Sequence, residues 1–176
     1  MKVAIVGLSP TSHDLAPWGD PSWEKWGLGL DQNIYQLDRV FEIHDQRMLS
    51  EYPDWEQYRE RLSHCPFVYV QYETDQLPNG RAYPLNEVEQ TTTNYLCSSI
   101  AYMLALAIHE GAEEIGVWGV DMKAYEEYGY QRPNVEYLIG LAHGRGIKVH
   151  VAEQSPVLKF QSDPDKEYAG RYGWLG

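Results

Sequence analysis

The sequence predicts an α/β fold: a single-domain, Rossmann-like, open and mostly parallel sheet with helices on both faces. Apolar runs of strand length alternate with segments of helical period along the chain, six of the former in all. Polar residues collect where those runs end, the edge at which open α/β sheets hold their ligands. A chain of 176 residues suits one domain with a substantial core, bounded here at 1–160 and followed by a short tail at 161–176.

Residues 2–7 (KVAIVG) form a β-branched run ending at a glycine, the pattern of a central parallel strand. It leads into Leu8-Ser9-Pro10-Thr11-Ser12. The glycine lets backbone approach a ligand, and the hydroxyls and N–H groups of Ser9, Thr11 and Ser12 suit a phosphate. The turn lacks both the GxGxxG and the P-loop spacing, so a phosphate cradle beginning at Gly7 and a plain strand-to-loop turn both remain open. Residues 14–25 read as an irregular loop, and Trp18, Trp23 and Trp26 fall within nine positions. They either cap the core edge or supply a ring, Trp26 above all, that stacks on a base or sugar. Residues 26–29 read as a second short strand.

Residues 39–45 alternate and end on His44-Asp45, a third strand that brings both to the edge occupied by Gly7. Neighbouring strand residues point to opposite faces, so these two are not a preformed dyad, and His44 alone is a candidate base or ligand contact. Residues 52–64 have the pattern of a short amphipathic helix, and 66–71 that of a fourth strand ending at Gln71. Residues 72–94 read as a long loop with one short helical piece.

The most informative stretch runs from Cys97 to Met122. Ser98 and Ser99 open a helix whose apolar positions are Ile100, Met103, Leu104, Ala107 and Ile108, and Gly111 stops it. Such a helix start holds anions through its unpaired N–H groups. Residues 114–120 then form a buried strand ending at Asp121, a candidate catalytic acid or base. Tyr128, Tyr130, Gln131 and Arg132 follow, a dense set of donors on a loop able to close over a ligand. Pro133 sits in the first turn of a second helix, continued by Val135, Leu138, Ile139 and Ala142. Glu136, near its start, is either a surface acid or a site acid. Residues 147–151 complete the strands. The tail is expected to pack on another subunit of a homo-oligomer or to remain undocked.

Apolar residues make up 43%, charged residues 23% and aromatic residues 13%, the balance of a globular protein. The formal charge of -12 opposes sequence-independent binding to nucleic acid or to anionic membrane, so neither is expected as a partner. No apolar run spans a bilayer and no signal-peptide pattern follows Met1, which points to the cytoplasm. Cys65 and Cys97 read as buried thiols, and the histidines lack ligand spacing; no metal and no cofactor are expected.

Through GLSPTS, PWGDPSWEKWGLG, FEIHD, YPLNEV, EYGYQRPNVEYLIGLAHGRGIKV and SPVLK the chain resembles a family of Rossmann-like proteins common in phages and prophages. More distantly, the Gly-x-Ser-Pro-Thr turn and the Ser-Ser-helix-Gly-strand-Gly-x-Asp unit resemble the sialyltransferases of bacterial surface glycans. That resemblance implies a cytidine nucleotide held by the first turn (Gly7, Ser9, Thr11) and the helix start (Ser98, Ser99), with Tyr128 and Tyr130 at its phosphate. The sequence departs from those enzymes between Tyr130 and Ile147, where their lid with a catalytic histidine has no counterpart; only Tyr137 and His143 lie there, on a helix.

The expected function is therefore binding of a small-molecule nucleotide or nucleotide sugar, with glycosyl transfer or nucleotide hydrolysis as the reaction. Acid–base help would come from His44, Asp121 or Glu136. Ser98 and Ser99 read as phosphate or ribose contacts, since the sequence places no histidine to activate them as nucleophiles. The alternatives are a non-catalytic protein that sequesters a nucleotide signal and a structural, oligomeric phage protein.

Overall fold

The computed structural model describes residues 1–51, 53–122 and 127–159, with the backbone alone at Glu127 and Tyr128. The proposed tail, residue 160, residues 123–126 and Tyr52 lie outside these. Seven strands are present: β1 (Lys2–Val6), β2 (Trp23–Leu28), β3 (Arg39–Glu42), β4 (Val68–Val70), β5 (Gly80–Ala82), β6 (Glu114–Trp118) and β7 (Lys148–Val151). They form one sheet in the order β5-β4-β3-β2-β1-β6-β7, and every neighbouring pair is parallel. The helices are α1 (Gln46–Leu49), α2 (Trp55–Ser63), α3 (Leu85–Thr91), α4 (Ser99–His109) and α5 (Glu127–Gly144). The expected α/β class is the observed one.

The sheet is covered on both faces because its strands alternate. Val3, Ile5, Phe41, Tyr69, Ile115 and Val117 pack on one side with α4 and α5, through Met103, Leu104, Ala107, Val135, Leu138 and Ile139. Val40, Val68 and Val70 face the other way, onto Ile34, Leu37 and Leu62 of the β2–β3 connection and α2. Helix α4 is buried from Ile100 to Ile108 apart from a half-buried Tyr102, since sheet, α3 and α5 surround it. Among the described residues no helix is long and apolar enough to cross a membrane.

Three elements differ from the sequence-based expectation. Strand β5 lies inside the stretch read as loop, because Gly-Arg-Ala is too short and polar to carry a period. Strand β2 begins at Trp23, within the expected irregular loop. Helix α5 begins at Glu127, so residues 128–132 are helical and Pro133 lies within the helix instead of its first turn.

The chain runs outward from β1 to β5, then returns through α4 to β6 on the other side of β1. The connections from β1 and from β6 therefore lead toward opposite edges of the sheet, and ligands sit at such a point in these folds. The strand ends approach closely there. Gly7 N–H donates to the Trp118 carbonyl at 2.8 Å, and Ser9 N–H to the Gly119 carbonyl at 2.8 Å. A Cβ on Gly7 would lie 2.8 Å from Val120 Cγ2 and inside contact distance of the Gly119 carbonyl; one on Gly119 would meet the Gly7 carbonyl in the same way. Gly119 also has φ +64°, a conformation that favours glycine. Ser12 is buried, and its Oγ accepts the Gly119 N–H at 2.8 Å.

The loop after β1 is anchored at its far side by His13. Its Nε2 lies 3.0 Å from the fully buried Asp31 carboxylate and its Nδ1 2.9 Å from Asp14. Burial lowers the imidazole pKa, but the hydrogen bonds and charges of Asp14 and Asp31 outweigh it and hold His13 above 6.5.

Gly119→Ala introduces both the φ penalty and the clash, and is expected to destabilise by at least about 1–2 kcal/mol. In urea unfolding the midpoint falls with an unchanged slope. The His13 contribution is complete below pH 6.5 and disappears as pH rises through the higher folded-state value. Urea midpoints measured at rising pH above 6.5 are expected to decline, and His13→Gln to flatten that decline.

Candidate functional site

A cleft of about 800 Å³ opens at the C-terminal ends of the strands, beside the turns that follow β1 and β6. Its first wall is the turn of Gly7, Leu8 and Ser9, faced by Gly119, Val120 and Asp121 after β6. Thr11 Oγ1 donates to Asp121 Oδ1 at 2.6 Å, and lies 3.1 Å from Ser9 Oγ. The sheet register thus brings hydroxyls and a carboxylate 110 positions apart into one chain of hydrogen bonds.

The second wall is the start of α4, with Leu96, Cys97, Ser98, Ser99, Ile100 and Tyr102. Ser98 is the N-cap, extended at φ -156° and ψ 153°, and its Oγ accepts the Ala101 N–H at 3.2 Å. The cap satisfies one helix donor, and the remaining N–H groups of the first turn give this edge positive character. Asn134, fully buried on α5, fixes the approach to the helix: its Oδ1 accepts the Cys97 N–H at 3.2 Å and its Nδ2 donates to the Tyr95 carbonyl. Cys97, expected to be buried, is half-buried beside this clamp.

The third wall comes from β2, β3 and α2: Leu28, Gly29, Leu30, Phe41, Glu42, Ile43, His44 and Tyr58. Its centre is Glu42, a carboxylate only 5% exposed. Glu42 Oε1 accepts from His44 Nδ1 at 2.5 Å and from His44 N–H at 3.2 Å, while Oε2 accepts the Tyr58 hydroxyl. Burial, with the Glu42 charge beside it, pushes the Tyr58 phenol far above its usual range, so it stays a proton donor to Glu42. Gly29 makes this contact sterically open, because a Cβ there would land on the Tyr58 hydroxyl.

Of the residues expected at the site, Gly7, Ser9, His44, Ser98, Ser99, Asp121 and Gln131 line the cleft, and Thr11 reaches it through Asp121. The others lie elsewhere. Ser12 is committed to the Gly119 N–H. Trp26 is fully buried beside Phe41, with the Arg39 guanidinium 4.6 Å from its ring centre, so it is core and not a stacking platform. Gln71 donates to the Ile43 carbonyl at 2.8 Å, outside the lining. Arg132 pairs with Glu136 at 2.8 Å and also donates to the Pro156 and Lys159 carbonyls, while Glu136 Oε1 accepts the Leu158 N–H at 2.9 Å. Both therefore strap residues 156–159 to α5, and Glu136 is not a cleft acid. Tyr130 is 55% exposed and not among the lining residues, and the Tyr128 side chain is outside the description.

Glu42, Tyr58 and Asn134 were not singled out in the sequence. A signal for Glu42 existed: Glu42 and His44 are two apart on an extended segment and share a face, whereas adjacent His44 and Asp45 do not. Asp45 instead caps α1 by accepting the Arg47 N–H at 2.9 Å, and hydrogen bonds from Arg47 hold its carboxyl down to about 2.

No protein-family model and no curated protein matches the chain. Several solved structures do. The sialyltransferase CstII from Campylobacter jejuni with the substrate analogue CMP-3FNeuAc is 14% identical, with a TM-score of 0.55 over 88% of this chain and 81% of that one. A point mutant described as alpha-2,3/8-sialyltransferase CstII is 14% identical, with a TM-score of 0.56 over 89% and 82%. A CST-II mutant in complex with CMP is 13% identical, with a TM-score of 0.56 over the same shares. At this identity the likeness is one of fold, and in fold the chain is similar to the sialyltransferases its sequence distantly resembles.

Proposed function

We propose that the protein binds a nucleotide sugar in this cleft and transfers the glycosyl group to an acceptor hydroxyl. The observation that carries the reading is where the cleft lies: at the C-terminal ends of β1 and β6, between a Gly7–Ser9 turn and the capped start of α4. On the same fold, CstII structures hold CMP, a CMP-sugar analogue and a trisaccharide acceptor, which supports assigning this edge to a nucleotide sugar. The donor phosphate sits at the N–H groups of Ser99 and Ile100, with Ser9 on the facing turn.

The charge of the walls favours one phosphate over two. Among the described lining residues there are two carboxylates, Glu42 and Asp121, one histidine, and no lysine or arginine. Nor do the described residues contain a group of acidic, histidine or cysteine side chains suited to a metal ion. One helix start offsets about half a unit charge, which suits the single phosphate of a nucleoside-monophosphate sugar better than a diphosphate. Asp121, oriented by Thr11, accepts hydroxyl groups of ribose or sugar. His44 and Asp121 are the cleft groups placed for acid–base work.

Calorimetry across CMP, UMP, AMP and GMP, followed by product analysis with a CMP-linked sugar and an oligosaccharide acceptor, tests the reading. Binding of one monophosphate and formation of a glycosylated acceptor are expected. Ser99→Asp puts an acid into a first helical turn that has none, where folding tolerates it, but sets a negative charge against the phosphate. It is expected to weaken nucleotide binding about tenfold or more, roughly 1.4 kcal/mol, without lowering the urea midpoint. Absence of nucleotide binding at millimolar concentration, or affinity indifferent to Ser99→Asp, overturns the assignment.

A further inference from the structure

We infer that His13 is a positioning residue of this cleft: held as an imidazolium between two carboxylates, it fixes the spacing of the first and third walls, and nucleotide affinity falls when its proton is lost. This rests on the nucleotide reading and adds to it a proton-dependent control of binding. The geometry requires the charged ring. Nδ1 lies 2.9 Å from Asp14 Oδ1, and Nε2 lies 3.0 Å from both carboxylate oxygens of Asp31. A neutral imidazole has one N–H and cannot donate to a carboxylate on each side, whereas the imidazolium donates from both nitrogens. Asp31 Oδ1 also accepts the Asn33 N–H at 2.7 Å, as an ionised carboxylate does. His13 is 4% exposed and Asp31 fully buried, so this ion pair lies inside the protein.

Each partner of the pair is tied to a wall. On one side the His13 N–H donates to the Ser9 carbonyl at 3.2 Å, and the adjoining Ser12 Oγ accepts the Gly119 N–H at 2.8 Å. A shift of His13 therefore moves the turn whose Gly7, Leu8 and Ser9 line the cleft. On the other side the Asp31 N–H donates to the Leu28 carbonyl at 3.0 Å, closing the turn of Leu28, Gly29 and Leu30 that lines the third wall. Trp18 packs on the pair, its ring 5.1 Å from the imidazole and its Nε1 donating to the His13 carbonyl at 3.1 Å. The imidazolium is thus a clamp between two walls of the cleft.

Losing the proton removes one of the two donors and takes from the buried Asp31 carboxylate the charge that offsets it. The other charged and titratable groups around the pair are Asp14, whose side chain is largely exposed, Arg61 of α2, Tyr58 of α2 over Gly29 with its hydroxyl on Glu42, and Asp121 beyond Thr11. Arg61 donates to the Asp31 backbone carbonyl, and the His13 ring is the charged group hydrogen-bonded to the Asp31 carboxylate. Burial lowers the ring's pKa, yet the bonds and charges of Asp14 and Asp31 raise it on balance above 6.5, so the proton is held there and lost at higher pH. A ligand that needs both walls in place binds the protonated form more tightly and, by linkage, raises the ring's pKa further. Affinity is full below the His13 value of the free protein and falls as pH rises from that value to the value in the complex.

The test uses the full chain, with NMR of the His13 ring nitrogens and calorimetry with CMP, UMP, AMP and GMP at a series of pH values. At pH 6.5 the unliganded ring is expected to be predominantly imidazolium. With the nucleotide that binds, its pKa is expected to rise by about half a unit to one unit, and affinity to fall about three- to tenfold across the same interval, because the two changes are one linkage. The second ionisation of the monophosphate, at a pKa of about 6, acts on affinity in the opposite direction. It acts equally on His13→Gln, so the affinity of the unaltered protein relative to that variant is expected to decline as pH rises. A ring that is neutral at pH 6.5 overturns the clamp, whatever binds. A ring pKa that is equal in the free protein and the complex overturns this inference alone and leaves the nucleotide reading standing, whether or not His13→Gln folds. An affinity ratio constant across the pH series does the same. Failure of all four nucleotides to bind the unaltered protein overturns that reading and this inference with it.

Discussion

The close approach of two glycine turns at the ends of β1 and β6 is the constraint on which this molecule depends. Gly7 and Gly119 stand with backbone against backbone, joined by hydrogen bonds from Gly7, Ser9 and Ser12. This contact holds the first turn and the Asp121 segment side by side although more than a hundred residues separate them. The hydroxyl-to-carboxylate link between Thr11 and Asp121 follows from that geometry.

The remaining walls are held by buried polar side chains. Asn134 ties the approach to α4, so the helix start presents its donors to the cleft. His13 and Asp31 tie the loop after β1 to the turn after β2. Glu42 is the most consequential of these groups. A buried carboxylate is costly unless satisfied, and here Tyr58 and His44 satisfy both oxygens. The same contacts that make its burial tolerable hold His44 at the lining of the cleft.

Much of the fold was legible because strong, local periodicity writes it. The run from Ser98 to Asp121 contains a cap, an apolar helix, a stop and a buried strand, and it appears as α4 and β6. Parts of the site were legible for the same reason, since Gly7, Ser9, His44, Ser98, Ser99, Asp121 and Gln131 all follow or open regular elements that converge on one edge. What escaped were weak local signals and long-range partners. Strand β5 has only three residues and takes its order from β4, and α5 runs through a segment whose proline and tyrosines read locally as loop.

The sequence by itself determined the α/β class, the apolar faces, and the edge where polar groups gather, because each depends on residues a few positions apart. Tertiary structure decided which side chains meet. Trp26 entered the core beneath Arg39, and Glu136 turned to the strap after β7. Glu42 met Tyr58 from a helix 16 positions away. Such partnerships depend on how a strand face and a helix face are brought together in space, and no local period encodes that.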